Sequence, residues 1–251
     1  MADFDGKVAL VTGSGSGIGR SIAELFAEQG AKVVVSDVDD EGGEETVKRI
    51  KDAGGDAIYV QCDVSDPAAV EALVKKTTEQ YGRLDAAVNN AGIGGDQMPP
   101  HDMTVENWQR VISINLSGPF YGIKYQVPAM LENDGGAIVN IASILGQVGF
   151  PGASAYVSAK HGLVGLTKNA ALEYAAQGVR VNSVGPAFIR TPLISALEDD
   201  PDSYNMLVSL HPIGRLGEPR EVAEMVVWLC SDKASFVTGA YYPVDGGYLA
   251  R

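Results

Sequence analysis

Short apolar segments alternate with longer segments of helical period along most of the chain. The apolar segments run without polar interruption, which is typical of parallel strands whose two faces are both covered by helices. Seven strands are predicted, at Val8–Val11, Val33–Val35, Ile58–Val60, Leu84–Val88, Ala137–Ile141, Val179–Val184 and near Tyr241–Val244. Helices are predicted at Ile18–Gln29, Glu41–Ala53, Pro67–Tyr81, about Thr104–Leu131, Ser154–Ala176 and Pro219–Cys230. This βαβ alternation predicts an α/β fold with a doubly wound parallel sheet and helices on both faces.

Local signals support the helix assignments. Asp66 precedes Pro67, so an N-capping carboxylate stands next to a proline whose missing N–H costs nothing at the first helical position. The side chains that then fall on one helical face are those of Val70, Leu73, Val74, Thr77 and Tyr81. The stretch Thr191–Gly217 follows neither period, and we expect it to form a mobile substrate lid.

Length and composition indicate a single domain. The chain has 251 residues and no linker rich in proline, glycine or serine that would divide it. Its net charge of −13 would repel nucleic acids and anionic membranes, so both are excluded as partners. No apolar run approaches the roughly 18 residues of a membrane span, and the first residues are acidic where a signal peptide needs basic ones. We therefore expect a cytoplasmic protein.

Cysteines and histidines show no metal-binding or disulfide pattern. Cys62 and Cys230 lie far apart and outside any C-x-x-C motif, which is typical of reduced thiols. His101, His161 and His211 are isolated from one another, so no metal site is predicted. His161 directly follows a lysine that we place below in the catalytic site. It should therefore point off the catalytic face and act as a packing residue.

A glycine-rich segment joins the first predicted strand to the first predicted helix. It reads Thr12-Gly-Ser-Gly-Ser-Gly-Ile-Gly19, and Gly13, Gly17 and Gly19 fit the spacing G-x-x-x-G-x-G, with Ser16 and Ile18 among them. Glycines let backbone N–H groups approach a pyrophosphate at a helix N-terminus, where the helix dipole favours an anion. Taken alone, such a loop could also be a tight turn.

An acidic residue follows the second predicted strand, about 20 residues beyond this loop, where dinucleotide-binding folds place a ribose-binding carboxylate. The residue is Asp37. Its carboxylate can accept hydrogen bonds from the ribose hydroxyls and would repel a 2′-phosphate. Neither Ser14 nor Val38 offers a positive charge to such a phosphate. The sequence therefore predicts NAD as cofactor, with NADH preferred over NADPH.

A candidate catalytic group comes from three segments. Tyr156 and Lys160 are four residues apart in a predicted helix and share a face, and Ser143 follows the fifth predicted strand. An ammonium one turn away, helped by the nicotinamide charge, should favour the phenolate of a tyrosine whose ordinary pKa is near 10. The serine would stabilise a developing alkoxide. Asn115 lies on the inward face of its helix. Each residue also has a purely structural explanation when taken singly.

Together these residues resemble the short-chain dehydrogenase/reductase family over essentially the whole chain. The matching elements are the glycine loop, Asp37, Asp63-Val64, Asn89-Asn-Ala-Gly92, Asn115, Ser143, Tyr156-x-x-x-Lys160, Asn182-x-Val-x-Pro186 and Val244-Asp-Gly-Gly247. The resemblance implies a Rossmann-type sheet, hydride transfer with a nicotinamide cofactor, and Tyr156 as general acid or base. A finer similarity, to bacterial NADH-dependent secondary alcohol dehydrogenases, is carried by Asn140–Phe150 and Phe188–Leu193.

The resemblance also implies roles for other residues. Asp63 and Val64 would contact the adenine, and Asn89, Ala91 and Gly92 would lie under the cofactor. Pro186 would also contact the cofactor, and Ile189 and Thr191 would bind its carboxamide. Lys160 would bind the nicotinamide ribose, and Asn115 would anchor a proton-relay water. Members commonly form homotetramers through the helix of Asn115 and the helix Ser154–Ala176, often with the C-terminal segment, so we expect a homotetramer.

One departure from the family pattern lies after the sixth predicted strand. The usual proline-glycine pair is here Pro186-Ala187. If the backbone at Ala187 had to take a positive φ, an alanine would be strained there. Local loop geometry and lid motion would then differ from those of the family.

The predicted substrate pocket is mostly apolar. Its candidate residues follow Ser143 and Pro186 or come from the lid, and they are Leu145, Val148, Phe150, Phe188, Leu193 and Leu207. An apolar ketone or secondary alcohol fits such a pocket better than a free sugar, which needs several hydroxyl partners. The alternatives are a 3-oxoacyl thioester reductase, a polyol or sugar dehydrogenase, and a catalytically silent NAD-binding sensor. The acidic chain disfavours an acidic acyl carrier.

Overall fold

A computed structural model of the protein describes residues 3–194 and 200–250, without the side chain of Leu193. Seven strands form one sheet in the order β3-β2-β1-β4-β5-β6-β7. Every neighbouring pair is parallel. The strands are β1 (Val8–Thr12), β2 (Lys32–Asp37), β3 (Asp56–Gln61), β4 (Ala86–Asn89), β5 (Gly136–Ile141), β6 (Val179–Pro186) and β7 (Tyr241–Val244). The predicted parallel sheet of seven strands is confirmed.

Helices cover both faces of the sheet. They are α1 (Gly17–Glu28), α2 (Asp40–Asp52), α3 (Pro67–Tyr81), α4 (Val105–Ile112), α5 (Gly118–Leu131), α6 (Ser154–Tyr174), α7 (Pro201–Ser209) and α8 (Pro219–Cys230). One buried apolar cluster joins the sheet to α1, α2 and α8, and a second joins it to α3, α5 and α6. The sheet is therefore doubly wound around two cores. Among the described residues, no helix is long and apolar enough to cross a membrane.

The order of the strands reverses between β1 and β4. From β1 the chain builds outwards through β2 and β3, and from β4 it builds in the opposite direction through β5, β6 and β7. In open parallel sheets, ligands bind beyond the carboxyl ends of the strands at such a switch point. The glycine loop follows β1 and Asn89 closes β4, so both lie at this place.

The long helical region predicted from about Thr104 to Leu131 is confirmed, with one local difference in helix type. Helices α4 and α5 are separated by a π-helical turn at Ser113–Ser117. Asn115 lies in this turn and is fully buried, and its amide donates to the carbonyl of Val111 at 3.0 Å. A π turn inserts an additional residue into the helix and is frequently found at functional sites. Apolar periodicity continues through the turn, which is why the sequence did not reveal it.

The stretch predicted to be a lid contains regular structure. A 3₁₀ turn at Pro192–Ile194 and helix α7 lie within it, while residues 195–199 lie outside the described part of the chain. Asp200 caps α7 by accepting from the backbone N–H of Ser203 at 2.9 Å. Ile194, Leu207 and Leu216 bury one another in a small cluster, called here the lid cluster. The lid thus carries its own apolar core.

Candidate active site

The glycine loop leaves room for a ligand at the start of α1. Gly13 has φ +62°, and a Cβ there would lie 2.7 Å from the Cα of Ala91. A Cβ on Gly19 would collide with the carbonyl of Gly13. Ser16 is the N-cap residue of α1 and makes no side-chain capping bond. The Ser16 side chain therefore does not cap the first N–H groups of the helix, which fits a pyrophosphate of a nicotinamide dinucleotide at this place.

An arginine that the sequence analysis missed holds this loop against α2. Arg20 donates from Nε to the hydroxyl of Thr46 at 2.9 Å and from Nη2 to the carbonyl of Gly15. Thr46 is buried and donates in turn to the carbonyl of Ser14 at 2.9 Å. A cation in the first turn of a helix opposes the helix dipole, and this unusual placement is a signal that could have singled Arg20 out.

Asp37 lies directly beside the loop. Its Oδ2 accepts from the N–H of Gly15 at 2.7 Å, and its Oδ1 accepts from the N–H of Val38 at 2.8 Å. A Cβ on Gly15 would lie 2.9 Å from Oδ2, so this close approach needs a glycine. The carboxylate is therefore fixed at the carboxyl end of β2, where a ribose would lie.

The segment after β4 forms the floor of the cofactor site. The hydroxyl of Thr12 accepts from the N–H groups of Asn90 at 3.1 Å and Ala91 at 3.2 Å. The amide of Asn90 donates to the carbonyls of Thr12 and Gly13, both at 2.9 Å. A Cβ on Gly92 would lie 2.6 Å from Oδ1 of Asn115. The two strands at the switch point are thus joined by side chains as well as by the sheet.

A buried polar network lies beneath this floor. The side chain of Asn89 donates to Asn140 at 2.9 Å and accepts from Gln126 at 2.9 Å. Asn140 donates to Thr167 at 2.9 Å. All four side chains are buried, and they join β4, α5, β5 and α6. The resemblance indicated only Asn89, and polar residues at the inward positions of these elements were the signal for the other three.

The other implied cofactor residues lie at the carboxyl ends of β3 and β6 or in the segments that follow these strands. The methyl of Thr191 would be 3.2 Å from a Cβ on Gly17, so the segment after β6 reaches the glycine loop. Val64 packs against Gly118, and Asp63 accepts from the hydroxyl of Ser65 at 2.7 Å. Ile189 is buried, and Pro186 ends β6.

The catalytic candidates converge at the carboxyl ends of β5 and β6. Lys160 is buried, donates from Nζ to the carbonyl of Ile141 at 2.7 Å, and lies 5.4 Å from the ring centroid of Tyr156. The Ser143 side chain is hydrogen-bonded to Tyr156 and accepts from the N–H of Leu145 at 3.1 Å. The predicted grouping of serine, tyrosine and lysine is therefore present in the structure.

Burial dominates the electrostatics of this group. It raises the pKa of Tyr156, and the hydrogen bond from Ser143 only partly offsets the increase. It lowers the pKa of Lys160 to about 7. In the chain without cofactor, desolvation disfavours both charged forms, so the phenolate favoured by the ammonium together with the nicotinamide charge stays a prediction.

Two further side chains position the group. Asn115 donates to the carbonyl of Ile93 at 3.0 Å and accepts from the N–H of the same residue at 3.2 Å. It thereby fixes the loop after β4, while its role in anchoring a water stays a prediction. Tyr241 donates to the carbonyl of Ser143 at 2.9 Å, and the sequence did not indicate this role. A Cβ on Gly185 would collide with the Tyr241 ring, so a glycine is needed beneath it.

Most of the predicted substrate-pocket residues share one apolar cluster with Tyr156. This cluster, called here the pocket cluster, contains Ile144, Leu145, Val148, Phe150, Ala153, Tyr156, Val157, Ala187, Phe188, Tyr248 and Leu249. Tyr248 and Leu249 come from the C-terminal segment, which the resemblance associates only with subunit contacts. Leu207 does not join them, because it is fully buried in the lid cluster. The side chain of Leu193 lies outside the described residues.

Two expectations about single residues are corrected. Among the described residues, Asp134 is the non-glycine residue with positive φ, so Ala187 takes an ordinary conformation and donates to the carbonyl of Val244 at 3.2 Å. The alanine is therefore unstrained. His161 is exposed and donates from Nδ1 to the carbonyl of Val157 at 2.9 Å, so it is not a packing residue in this chain. The described residues contain no group of three or more ligands for a metal ion.

Comparison with known proteins agrees with this geometry. A family profile described as Enoyl-(Acyl carrier protein) reductase matches residues 13–249. Cyclohexanol dehydrogenase of Acinetobacter sp. (strain SE19) is 50% identical over 248 residues, which cover 99% of this chain and 97% of that protein. The chain belongs to the short-chain dehydrogenase/reductase family. It is an oxidoreductase of that family, as the arrangement of Ser143, Tyr156 and Lys160 suggested.

Other members of the short-chain dehydrogenase/reductase family give the same picture. Cis-4-hydroxycyclohexanecarboxylate dehydrogenase of Sinomonas cyclohexanicum is 45% identical over 98% of both proteins. The crystal structure of levodione reductase superposes with a TM-score of 0.95 at 40% identity, over 98% of this chain and 99% of that chain. A protein of Beutenbergia cavernae with NADP bound at low occupancy superposes with a TM-score of 0.93 at 36% identity, over 98% of each chain. The Rossmann-type fold expected from the sequence is confirmed.

Proposed function

We propose that this protein interconverts six-membered alicyclic secondary alcohols and the corresponding ketones, with NAD(H) as cofactor. The observation that carries the proposal is the pocket cluster, in which the catalytic Tyr156 packs among apolar and aromatic side chains. A pocket of this kind favours a hydrocarbon ring over a polyhydroxylated one. Two relatives reported above carry a cyclohexane ring in the names of their substrates.

The side chains divide the chemistry among them. A bound nicotinamide dinucleotide supplies or accepts the hydride. Tyr156 gives its phenolic proton to the carbonyl oxygen during reduction and takes the hydroxyl proton during oxidation. Ser143 donates a hydrogen bond to the same oxygen and stabilises its developing charge. Lys160 would hold the nicotinamide ribose beside the tyrosine.

The preference for NADH over NADPH rests on Asp37. Its carboxylate is held by the N–H groups of Gly15 and Val38 and lies where a ribose would place its 2′ oxygen. A phosphate there would be repelled. Arg20 lies close by, but its guanidinium donates to the carbonyls of Gly15 and Gly42. One relative holds NADP at low occupancy. The preference of this protein for NADH over NADPH is therefore to be measured directly.

The test is the consumption of NADH, followed by its absorbance, with a panel of carbonyl compounds. The panel contains cyclohexanone, an aryl ketone, a 2,3-diketone, a sugar lactone and a 3-oxoacyl thioester. We expect turnover to be fastest with cyclohexanone. Turnover of the thioester alone would support a 3-oxoacyl thioester reductase, against the argument from a net charge of −13. If NADH binds but none of these compounds is reduced, the result would support the alternative of a catalytically silent NAD-binding sensor.

A variant ties the activity to its proposed acid. Tyr156→Phe removes only the phenolic hydroxyl, so we expect turnover of cyclohexanone to fall by roughly 10² to 10⁴, the usual contribution of a general acid. Binding of NADH, measured by its fluorescence, should be retained. Unchanged turnover would overturn the role of Tyr156.

A homotetramer in the cytoplasm remains part of the proposal. Apolar side chains on α4, α5 and α6 are exposed in the single chain, among them Trp108, Phe120 and Leu172. Large apolar side chains at the surface often mark contacts between subunits. Both cysteines are free and buried, which fits a reducing compartment.

A further inference from the structure

A buried histidine lies where the lid, the segment after β6 and the C-terminal segment meet. His211 is 4% exposed and follows α7 by two residues. Its ring centroid lies 5.8 Å from that of Phe188 and 5.9 Å from that of Tyr248, in edge-on and tilted contacts. Nothing in the chemistry described so far uses this side chain.

The hydrogen bonds of the ring indicate which of its nitrogens donates and which accepts. Nδ1 lies 2.8 Å from the carbonyl oxygen of Leu207. A carbonyl only accepts, so Nδ1 carries the proton. Nε2 is then free to accept, and the N–H of Phe188 donates to it at a long distance of 3.4 Å. The neutral ring therefore ties the lid helix to the backbone that carries Phe188.

Charged groups near the ring are engaged elsewhere. Arg215, Glu221 and Asp245 line the cavity beside His211. Arg215 and Glu221 bind each other at 2.6 and 2.7 Å. Asp245 accepts from the N–H groups of Gly247 and Leu249, each at 2.9 Å. The bonds named here therefore join these charged side chains to groups other than the His211 ring.

Phe188 connects this junction to the reacting centre. It packs against the pocket cluster, which holds Tyr156, and also against the lid cluster. Its ring centroid lies 6.3 Å from that of Phe150 and 6.4 Å from that of Tyr248. The three rings form an aromatic wall of the pocket. A small rotation of the backbone at Phe188 would move the middle ring of this wall.

We propose that His211 is a positioning residue for substrate specificity, which holds the Phe188 ring against a cyclic substrate through the bond from the Phe188 N–H to Nε2. The proposal rests on the proposed function, because it assigns the wall of the same pocket. It predicts that the acceptor at Nε2 matters for binding a ring, whereas the donor at Nδ1 serves the lid helix.

Two substitutions test the roles of the two imidazole nitrogens separately. In His211→Asn, the side-chain amide can still donate to Leu207 from the place of Nδ1, but the acceptor for Phe188 is lost. In His211→Gln, the longer amide can place its oxygen near Nε2 and keep that acceptor. His101→Asn is the matched control, because the His101 side chain is 81% exposed.

The first measurement is steady-state kinetics with cyclohexanone and with the small acyclic ketone butanone. For His211→Asn we expect KM for cyclohexanone to rise about 10-fold, the net value of one hydrogen bond, with kcat and KM for NADH within about 3-fold. KM for butanone should change by less than about 3-fold, because a small ketone does not need the wall. His211→Gln and the control should stay within about 3-fold of the wild type.

The second measurement does not depend on turnover. Hydrogen exchange of the NADH complex, read on peptides that contain Phe188, should be faster in His211→Asn than in the wild type and in His211→Gln. Equal effects of the two substitutions in both measurements, or no effect of His211→Asn, would overturn the proposal. If the wild type does not reduce cyclohexanone, the proposed function fails, and the exchange result alone decides whether His211 positions Phe188.

Discussion

Lys160 is an ionisable side chain that the fold removes from water beside the partly buried Tyr156. Lys160 is 3% exposed, and burial lowers its pKa to about 7, whereas a lysine in an unfolded chain has a pKa near 10.4. Between these values the unfolded chain binds the additional proton. The contribution of this residue to stability is therefore lowest below pH 7 and rises as the pH increases towards about 10.

The Lys160→Met substitution tests this linkage without any substrate. Methionine keeps much of the volume of lysine and carries no titrating group. The substitution therefore removes the pH-dependent contribution of this residue to the stability of the fold. We expect Tm of the variant minus Tm of the wild type, both without cofactor, to be most positive near pH 6 and to decrease steadily towards pH 9. The loss of the bond to the Ile141 carbonyl shifts all values equally. A difference that is constant over this pH range would contradict the buried titration.

Asp37 is the residue at which cofactor choice can be changed. Asp37→Ala removes the charge that opposes a 2′-phosphate, so we expect the ratio of kcat/KM for NADH to that for NADPH to fall by about 10-fold or more. Asp39→Ala is the matched control, since its carboxylate is exposed and lies two residues beyond. An unchanged ratio in Asp37→Ala would assign the discrimination to other residues.

At the scale of elements, the caps of two helices allow the lid to be tested separately from the core. Asp200 caps α7 in the lid, and Asp66 caps α3 by accepting from the N–H of Ala68 at 2.9 Å. We expect Asp200→Ala to raise KM for cyclohexanone by several fold and to leave Tm nearly unchanged. The reason is that α7 belongs to the lid and not to the two cores of the sheet.

Removal of the capping carboxylate of the core helix α3 should lower Tm and leave KM unchanged. Asp66→Ala removes a capping bond worth about 1 kcal/mol, which should lower Tm by roughly 2–4 °C in a chain of this size, with KM unchanged. Thermal unfolding and steady-state kinetics on both variants check the pair. A KM increase in Asp66→Ala, or its absence in Asp200→Ala, would contradict a separate role for the lid.

Elements with strong local signals were predicted well, and elements shaped by distant contacts were not. Helix α3 begins at Pro67 and ends at Tyr81 as expected, because its cap and its apolar face are both local. The π turn around Asn115 depends on Ile93, which lies 22 residues away in the chain. The roles of His211 and Tyr241 depend on contacts between segments that no local pattern records. The relaxed backbone at Ala187 likewise follows from its pairing with Val244.

At the scale of the whole molecule, the exposed apolar side chains predict assembly. We expect sedimentation to give a mass about four times the 26.4 kDa of one chain. Phe120 is 48% exposed on α5, and Phe120→Asp should reduce the mass, because a carboxylate at a packed contact is costly. Gln80→Asp, on the exposed side of α3, is the control and should keep the assembly. A monomeric wild type at micromolar concentration would contradict the homotetramer.

The packing of α1 under α8 has a consequence for the synthesis of the chain. The two helices share one apolar cluster, and Arg220 at the start of α8 donates to Glu28 at the end of α1, 192 residues earlier, at 2.8 Å. A ribosome therefore releases α1 long before α8, which shares its apolar cluster, has been translated. A stop codon shortly before Pro219 would uncover the first helix as well as remove the last strand, so damage at one end of the gene would appear as aggregation through the other end of the protein.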